Sequence, residues 1–320
     1  GSYDPNTDLI YWSTAQAKPW ASAQRGTSGA ALYTNSTLAI DPETGTIRWY
    51  FQHLPAETHD LDEVFEVVLV DRGNQQSSLF KMGKIGVLWE LDPRTGAFRN
   101  AYDLGYQNIV DINRTSGQGI LRPDRIPRLD QRVDYCPGPG GLKNLWAMAY
   151  HPETDAFYIP LTPGCAESVF ATMPDPAPGG GGNGLSDRRF VVHPDSPTQL
   201  GDFVAMDSRS GRILWRRRSR WQYGTAVLTT AGGLVFVGDV DRHMYALDAR
   251  DGTELWHTRT PTATDGFPIT YAVGDRQYLV VPSGPGWSLA WSNARQAFPD
   301  DMVRPPGTGS VLQVFALPED

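Results

Sequence analysis

The sequence predicts an all-β fold assembled from repeated hairpins, and three observations predict it. Composition is the first: 33 Gly and 25 Pro with 10 Trp and 13 Tyr in 320 residues describe many turns between aromatic-rich strands, where a helical chain would carry Ala, Leu, Glu and Lys. The second is an internal repeat in which small or apolar residues lead to Asp, a short turn ends in Gly, and an apolar or aromatic residue follows. The third is the spacing of that repeat, which suits the four-stranded blades of a β-propeller, each packing only on its neighbours about a central channel.

In chain order, YDPNTDLIYW reads as the tail of an earlier unit, and LAIDPETGTIRW at residues 38–49 is the first full copy. LWELDPRTGAF at 88–98 is the second. AYHPETDAFYIP at 149–160 is a weaker copy that lacks the repeat's Asp and Gly; FVAMDSRSGRILW at 203–215 and YALDARDGTELW at 245–256 restore the pattern. Each copy is a hairpin: the apolar run supplies a strand, Asp accepts from turn amides, Gly takes the positive φ, and the closing aromatic packs on the sheet. The Asp positions 41, 92, 207 and 248 are separated by 51, 115 and 41 residues. The long interval contains the weaker copy and is read as two units with inserted loops. About five blades result, a number compatible with a closed five-bladed ring but carried forward here as part of a larger one. Residues 105–142 and 166–200 are expected to be loop insertions at one end of the propeller, and PDPAPGGGGNGLSDRR at 174–189 is too Gly-rich for strand or helix.

Charge and hydropathy exclude some functions. With 28 Lys and Arg against 36 Asp and Glu the net charge is −8, so nucleic acid is an unfavourable partner. No apolar run is long enough for a membrane span, and GSYDPNTDLIYW lacks the charged start and apolar stretch of a signal peptide. Any export signal is expected to be removed or to lie outside this chain. Cys136 and Cys165 stand in loop-like sequence, form neither CxxC nor CxxCH, and read either as a structural disulfide or as two buried thiols.

Four polar residues are candidates for chemistry. Asp60 and Asp62 stand two apart before an apolar strand, so an extended backbone would aim both carboxylates one way, towards a hard cation; the alternative is a solvated loop. Lys84 lies between two glycines in FKMGKIGVLWELD, either aimed into a pocket from a tight turn or simply exposed. Asn144, in GGLKNLWAMAYHP, either contacts a ligand or caps its turn.

The wording and order of several segments resemble one family. GSYDPNTDLIYW, TNSTLAIDPETGTIRWYFQH, HDLDEVFE, GKIGVLWELDPRTG, NLWAMAYHPETDAFYIP, TAGGLVFVGDVDRHMYALDARDGTELW and GFPITYAVGDRQYLVVPSG are similar to stretches of the pyrroloquinoline-quinone (PQQ) methanol/ethanol dehydrogenases, from near residue 1 to about residue 287. The resemblance implies about the last five blades of an eight-bladed propeller, with a preceding segment or a companion chain supplying the others. It implies that Asp60 is the general base, that Asp62 is the extra carboxylate of the lanthanide-using branch, and that Gln16 replaces an asparagine metal ligand. Gln keeps the amide oxygen but adds a methylene. Lys84 matches the basic residue on the quinone oxygens, Asn144 a polar quinone contact and Trp287 a tryptophan near the cofactor. Leu145 departs from the tryptophan usual after that asparagine. Cys136 and Cys165 match a family disulfide.

The implied chemistry is oxidation of an alcohol to an aldehyde or ketone with PQQ and a lanthanide or Ca²⁺ ion, followed by electron transfer to cytochrome c in the periplasm. Two other functions remain open on these residues: a non-catalytic β-propeller scaffold, and a degenerate member of the family without cofactor.

Overall fold

The computed structural model describes residues 1–73, 77–173, 182, 184–284, 288–301 and 309–317. They form an all-β architecture of antiparallel meanders in two compact units, Gly1–Asn144 with Gly164–Asp195, and Leu145–Pro163 with Ser196–Asp320.

In the first unit, β1 (Ser2–Asp4), β2 (Leu9–Ser13), β3 (Ser36–Ile40) and β4 (Ile47–Gln52) make one sheet, and β5 (Val67–Val70), β6 (Ser78–Met82), β7 (Val87–Leu91) and β8 (Phe98–Asp103) the next. A hairpin of β9 (Val110–Ile112) and β10 (Gly119–Leu121) follows. β11 (Arg132–Tyr135), β14 (Gly164–Phe170) and β15 (Leu185–Val192) make a three-stranded sheet. The core of this unit gathers Tyr11, Leu54, Leu61, Leu79, Ile85, Trp89 and Tyr135.

The second unit contains a four-stranded sheet of β12 (Ala149–His151), β13 (Ala156–Leu161), β16 (Gly201–Asp207) and β17 (Ile213–Ser219). Another is made of β18 (Leu228–Thr229), β19 (Leu234–Gly238), β20 (His243–Asp248) and β21 (Glu254–Arg259). A three-stranded sheet of β22 (Ile269–Val273), β23 (Arg276–Ser283) and β24 (Val311–Ala316) ends it, with helix Ser288–Ala297 before its last strand.

The repeated turn closes the third and fourth strands of each four-stranded sheet. In the turn after β7, Asp92 Oδ1 accepts from the amides of Arg94 (2.9 Å) and Thr95 (3.0 Å), while Gly96, at φ +71°, donates to the Asp92 carbonyl at 2.8 Å. The closing aromatic of one sheet then seats on the glycine of the next. Trp49 donates its indole N–H to the Pro93 carbonyl at 3.1 Å, and a Cβ on Gly96 would stand 2.5 Å from that ring. Trp215 repeats this on the Ala249 carbonyl at 3.0 Å and on Gly252. These contacts explain why both Gly and an aromatic recur at fixed offsets.

Two expectations about the repeat are corrected. The weaker copy at 149–160 is no separate blade: it is β12–β13, the first hairpin of the sheet whose second hairpin carries Asp207. YDPNTDLIYW is its counterpart, opening the first sheet as β1–β2, and both use the same lock: Thr7 Oγ1 meets Tyr11 Oη and Thr154 Oγ1 meets Tyr158 Oη, each at 2.8 Å. The long interval instead holds β9–β10, whose turn is a copy with Asn113 in place of Asp and Gly117 beneath Phe98. The stretches expected as loops, 105–142 and 166–200, therefore carry strands, and residues 185–189, expected to be irregular, belong to β15, where pairing with β14 outweighs local composition.

Candidate functional site

The connection from β4 to β5, residues 53–66, contains no strand, yet His53, Glu57, Thr58, His59, Asp60 and Glu63 in it are buried. A buried loop must find partners for its polar groups. Ser22 donates its amide to Thr58 Oγ1 at 2.7 Å, Arg25 donates to the Glu57 carbonyl at 2.9 Å, and Glu63 donates its amide to Asn35 Oδ1 at 3.2 Å. His59 Nε2 meets the Arg125 carbonyl at 2.6 Å. Thus held, the loop presents Asp60 at φ +73°. The expected extended backbone is absent at this residue; Asp is among the few side chains that tolerate the left-handed region.

Both aspartates nevertheless converge, on Lys84. Its ammonium lies 2.6 Å from Asp62 Oδ2 and 3.1 Å from Asp60 Oδ2, and it donates to the Asp60 carbonyl at 2.9 Å. Lys84 occupies the turn between β6 and β7, where its own amide donates to the Asp62 carbonyl at 3.0 Å. Gln16 reaches the same carboxylates from the β2–β3 connection: its backbone amide donates to Asp62 Oδ1 at 3.1 Å and its side-chain amide to Asp60 Oδ1, leaving Oε1 buried with no partner among the described residues. The segment carrying Asn144 lies over Lys84. Leu142 donates its amide to the Lys84 carbonyl at 2.8 Å, and a Cβ on Gly141 would stand 2.5 Å from Lys84 Cγ. Asn144 Nδ2 donates to the Gly140 carbonyl at 2.8 Å, bracing that segment. The Cys136–Cys165 disulfide ties it to β14. Trp287 lies outside the described residues.

Burial and neighbouring charge set the protonation states. Burial pushes the Asp60 carboxyl up to about 6, and the Asp62 carboxylate adds to the rise, although Lys84 and Lys18 oppose it. For Lys84, burial disfavours the charge, but the two carboxylates outweigh it and hold the ammonium above its ordinary value. The cluster thus offers a carboxylate able to take a proton near neutral pH, a fixed cation, and oxygen donors suited to a hard metal ion.

Four charged residues near the cluster escaped the sequence reading. Burial raises Glu57 to about 7 and Glu63 to about 8, and burial lowers Lys81 to about 8 despite the carboxylate of Glu63. The fourth, Lys18, stands 3.9 Å from Asp60 Oδ1. Two signals were available: a lysine inside the otherwise apolar strand LFKM, and a second cation two residues after Gln16.

The chain is similar to known proteins over nearly its whole length. Residues 1–98 match the family model described as glucose/ethanol/alcohol dehydrogenase, beta-propeller domain, and residues 143–296 match one described as outer membrane protein assembly factor BamB. A lanthanide-dependent methanol dehydrogenase of Methylacidiphilum fumariolicum (strain SolV) is 31% identical over 328 residues, covering 99% of this chain and 53% of the relative. This chain resembles the quinoprotein alcohol dehydrogenases. A quinoprotein ethanol dehydrogenase of Pseudomonas aeruginosa is 28% identical, with 99% of this chain and 53% of the relative covered. The solved structure of a europium-containing methanol dehydrogenase superposes with a TM-score of 0.89 at 26% identity, covering 99% of this chain and 58% of that one. The sheets described above are accordingly those of the quinoprotein propeller, and the chain spans about half the length of the curated relatives it matches.

Proposed function

We propose that this chain carries the proton-accepting and cation-holding part of a PQQ-dependent dehydrogenase that oxidises an alcohol to an aldehyde or ketone. The observation that supports the reading is the convergence of Asp60 and Asp62 on one buried ammonium, Lys84, with Gln16 bonded to both carboxylates. The donor set fits a hard ion: two carboxylates and a buried amide oxygen, Gln16 Oε1, that has no partner among the described residues. Gln16, Asp60 and Asp62 would hold a lanthanide or Ca²⁺ ion, and the charge of Asp62 favours the trivalent one. Lys84, Asn144 and Trp287 would contact the quinone. When bound, the quinone supplies the two-electron acceptor and the ion a Lewis acid.

Within that site Asp60 takes the proton of the alcohol hydroxyl. A carboxyl titrating at about 6 is ionised at neutral pH yet basic enough to accept. Lys84 keeps its charge throughout and stabilises negative charge that develops beside it, an arrangement already in place before the reaction. Electrons then pass to cytochrome c in the periplasm. The 1–320 segment is proposed to act as part of one propeller domain, completed by a companion chain or a preceding segment. Spectrophotometric titration of the protein with PQQ and La³⁺ or Ca²⁺, followed by dye-linked alcohol oxidation, tests the reading. Saturable uptake with dye reduction supports it, and neither one refutes it.

The match over residues 143–296 favours a second reading, a non-catalytic propeller. None of Gln16, Asp60, Asp62 and Lys84 lies in that stretch, and the same titration separates the two.

A further inference from the structure

A second ammonium reaches the aspartate cluster, from the side facing water. Lys18 Nζ lies 3.9 Å from Asp60 Oδ1, the oxygen that also accepts from the Gln16 side chain. It stands 5.0 Å over the centroid of the Trp20 ring, and Trp20 is buried. The two lysines differ in how they are held. The Lys84 side chain is 7% exposed and bonded to both carboxylates and to a backbone carbonyl. The Lys18 side chain is 47% exposed and has one long ionic contact and an aromatic face.

We propose that Lys18 is a specificity-determining residue of the cation site: its ammonium neutralises the solvent side of Asp60, weakens binding of any cation there, and weakens a trivalent ion more than a divalent one. The inference rests on the reading of Gln16, Asp60 and Asp62 as the residues that hold the ion. With Lys18 in place the two carboxylates face two ammonium groups, and an arriving ion meets a cluster that is already formally neutral. Lys84 is locked inside, so Lys18 is the charge that must move. Its contact is long and half in water, and the ammonium already lies over the Trp20 face, which it can keep as it swings away from Asp60. Repulsion between the ammonium and the ion scales with ionic charge, three against two.

The test is calorimetric titration of the purified chain at low salt with Tb³⁺ and, separately, Ca²⁺, using wild type, Lys18→Met and Lys18→Arg. Met keeps an unbranched stem over Trp20 and removes the charge; Arg retains it. Lys18→Met is expected to bind Tb³⁺ about tenfold more tightly and Ca²⁺ about fivefold more tightly, with Lys18→Arg close to wild type. Half-molar salt should narrow both gaps, because Lys18 is partly in water. Saturable binding of equal affinity in wild type and Lys18→Met overturns the role of Lys18 and leaves the cation site standing. Absence of saturable binding in all three folded proteins, checked by circular dichroism, overturns the cation site and this inference with it.

Discussion

Replacing Lys84 by Met tests whether Asp60 and Asp62 are held together by one buried charge. The ammonium lies 3.1 and 2.6 Å from the two carboxylates, and the side chains of Lys84, Asp60 and Asp62 are 7, 11 and 16% exposed, so water screens them weakly. At an effective dielectric constant of about 20 the attractions come to roughly 5 and 6 kcal/mol, and stripping water from three charges removes several kcal/mol for each. What the substitution exposes is the asymmetry: deleting one partner of a buried pair costs about 3–5 kcal/mol because the others stay behind unpaired. Met keeps an unbranched stem beneath Gly141, so lost packing adds little. The pH dependence follows from the two stranded carboxylates. Burial already lifts the folded-state pKa of Asp60 to about 6 in the wild type, and losing Lys84 removes the charge that opposes that rise. A raised carboxyl favours the protonated folded state, so the added penalty is absent below about pH 4 and grows as the pH rises through the folded pKa. Guanidinium unfolding followed by tryptophan fluorescence should show the gap between wild type and variant widening from pH 4.5 to 7.5. La³⁺ should restore part of it at pH 7.5 by replacing the missing positive charge. A gap under about 1 kcal/mol, equal at both pH values and indifferent to La³⁺, would refute the buried-pair argument.

Asp60→Asn should leave the far-ultraviolet circular dichroism unchanged and reduce kcat/KM for dye-linked alcohol oxidation by about 10²–10⁴-fold, the range for loss of a general base; a loss below tenfold would remove Asp60 from that role. Gly96→Ala and Gly45→Ala meet the same positive φ, +71° and +69°, but the new Cβ is 2.5 Å from the Trp49 ring at the first and has nothing within 4 Å at the second. Both should lose about 1–2 kcal/mol from backbone strain, and Gly96→Ala a further ~1–3 kcal/mol from the clash; equal denaturation midpoints would contradict the aromatic-on-glycine lock. Opening the Cys136–Cys165 bridge, with a sequence separation of 29, by the double Ala variant should cost about 3–4 kcal/mol. Unchanged chemical stability would show that β14 holds the Asn144 segment without it.

The repeat was legible because each of its residues has one local job. Asp92 and Gly96 make their turn with contacts spanning four residues, and Trp49 needs only a glycine at a fixed place in the next sheet. Where the local job can be done by a different residue, the reading lost its footing. Asn113 accepts the same turn amides as Asp92, at 2.9 and 3.0 Å, so β9–β10 is a copy that a search for Asp does not see. β15 has little local preference for a strand and is ordered by its register with β14. The candidate site divides in the same way. Asp60, Asp62 and Lys84 could be singled out as unusual wording in short segments, with Gln16 added by resemblance. Their meeting depends on three connections, after β2, after β4 and after β6, whose contacts span 22 to 46 residues. No short-range pattern encodes that. Glu63 is further still from view, since a charged residue in a loop gives no sign of whether it is buried.

The placement of the cluster also has a physical reason. A loop such as 53–66 could not stay buried on its own, because its backbone has no ladder to satisfy it. It stays buried because β4 before it and β5–β7 after it belong to sheets locked by aromatic-on-glycine contacts, and because side chains from elsewhere, Arg25 and Asn35 among them, take up its polar groups. Rigidity of the repeat is therefore what allows an irregular, charged segment between two of its sheets. The same rigidity opposes relaxation of the site when a charge is removed: Asp60 sits at a left-handed φ with its carbonyl on Lys84 and its carboxylate between Lys84 and Gln16, and turning the side chain towards water would break those side-chain bonds. A carboxylate that cannot turn away from its neighbours is held ready for whichever proton or cation approaches from the open side, where Lys18 stands.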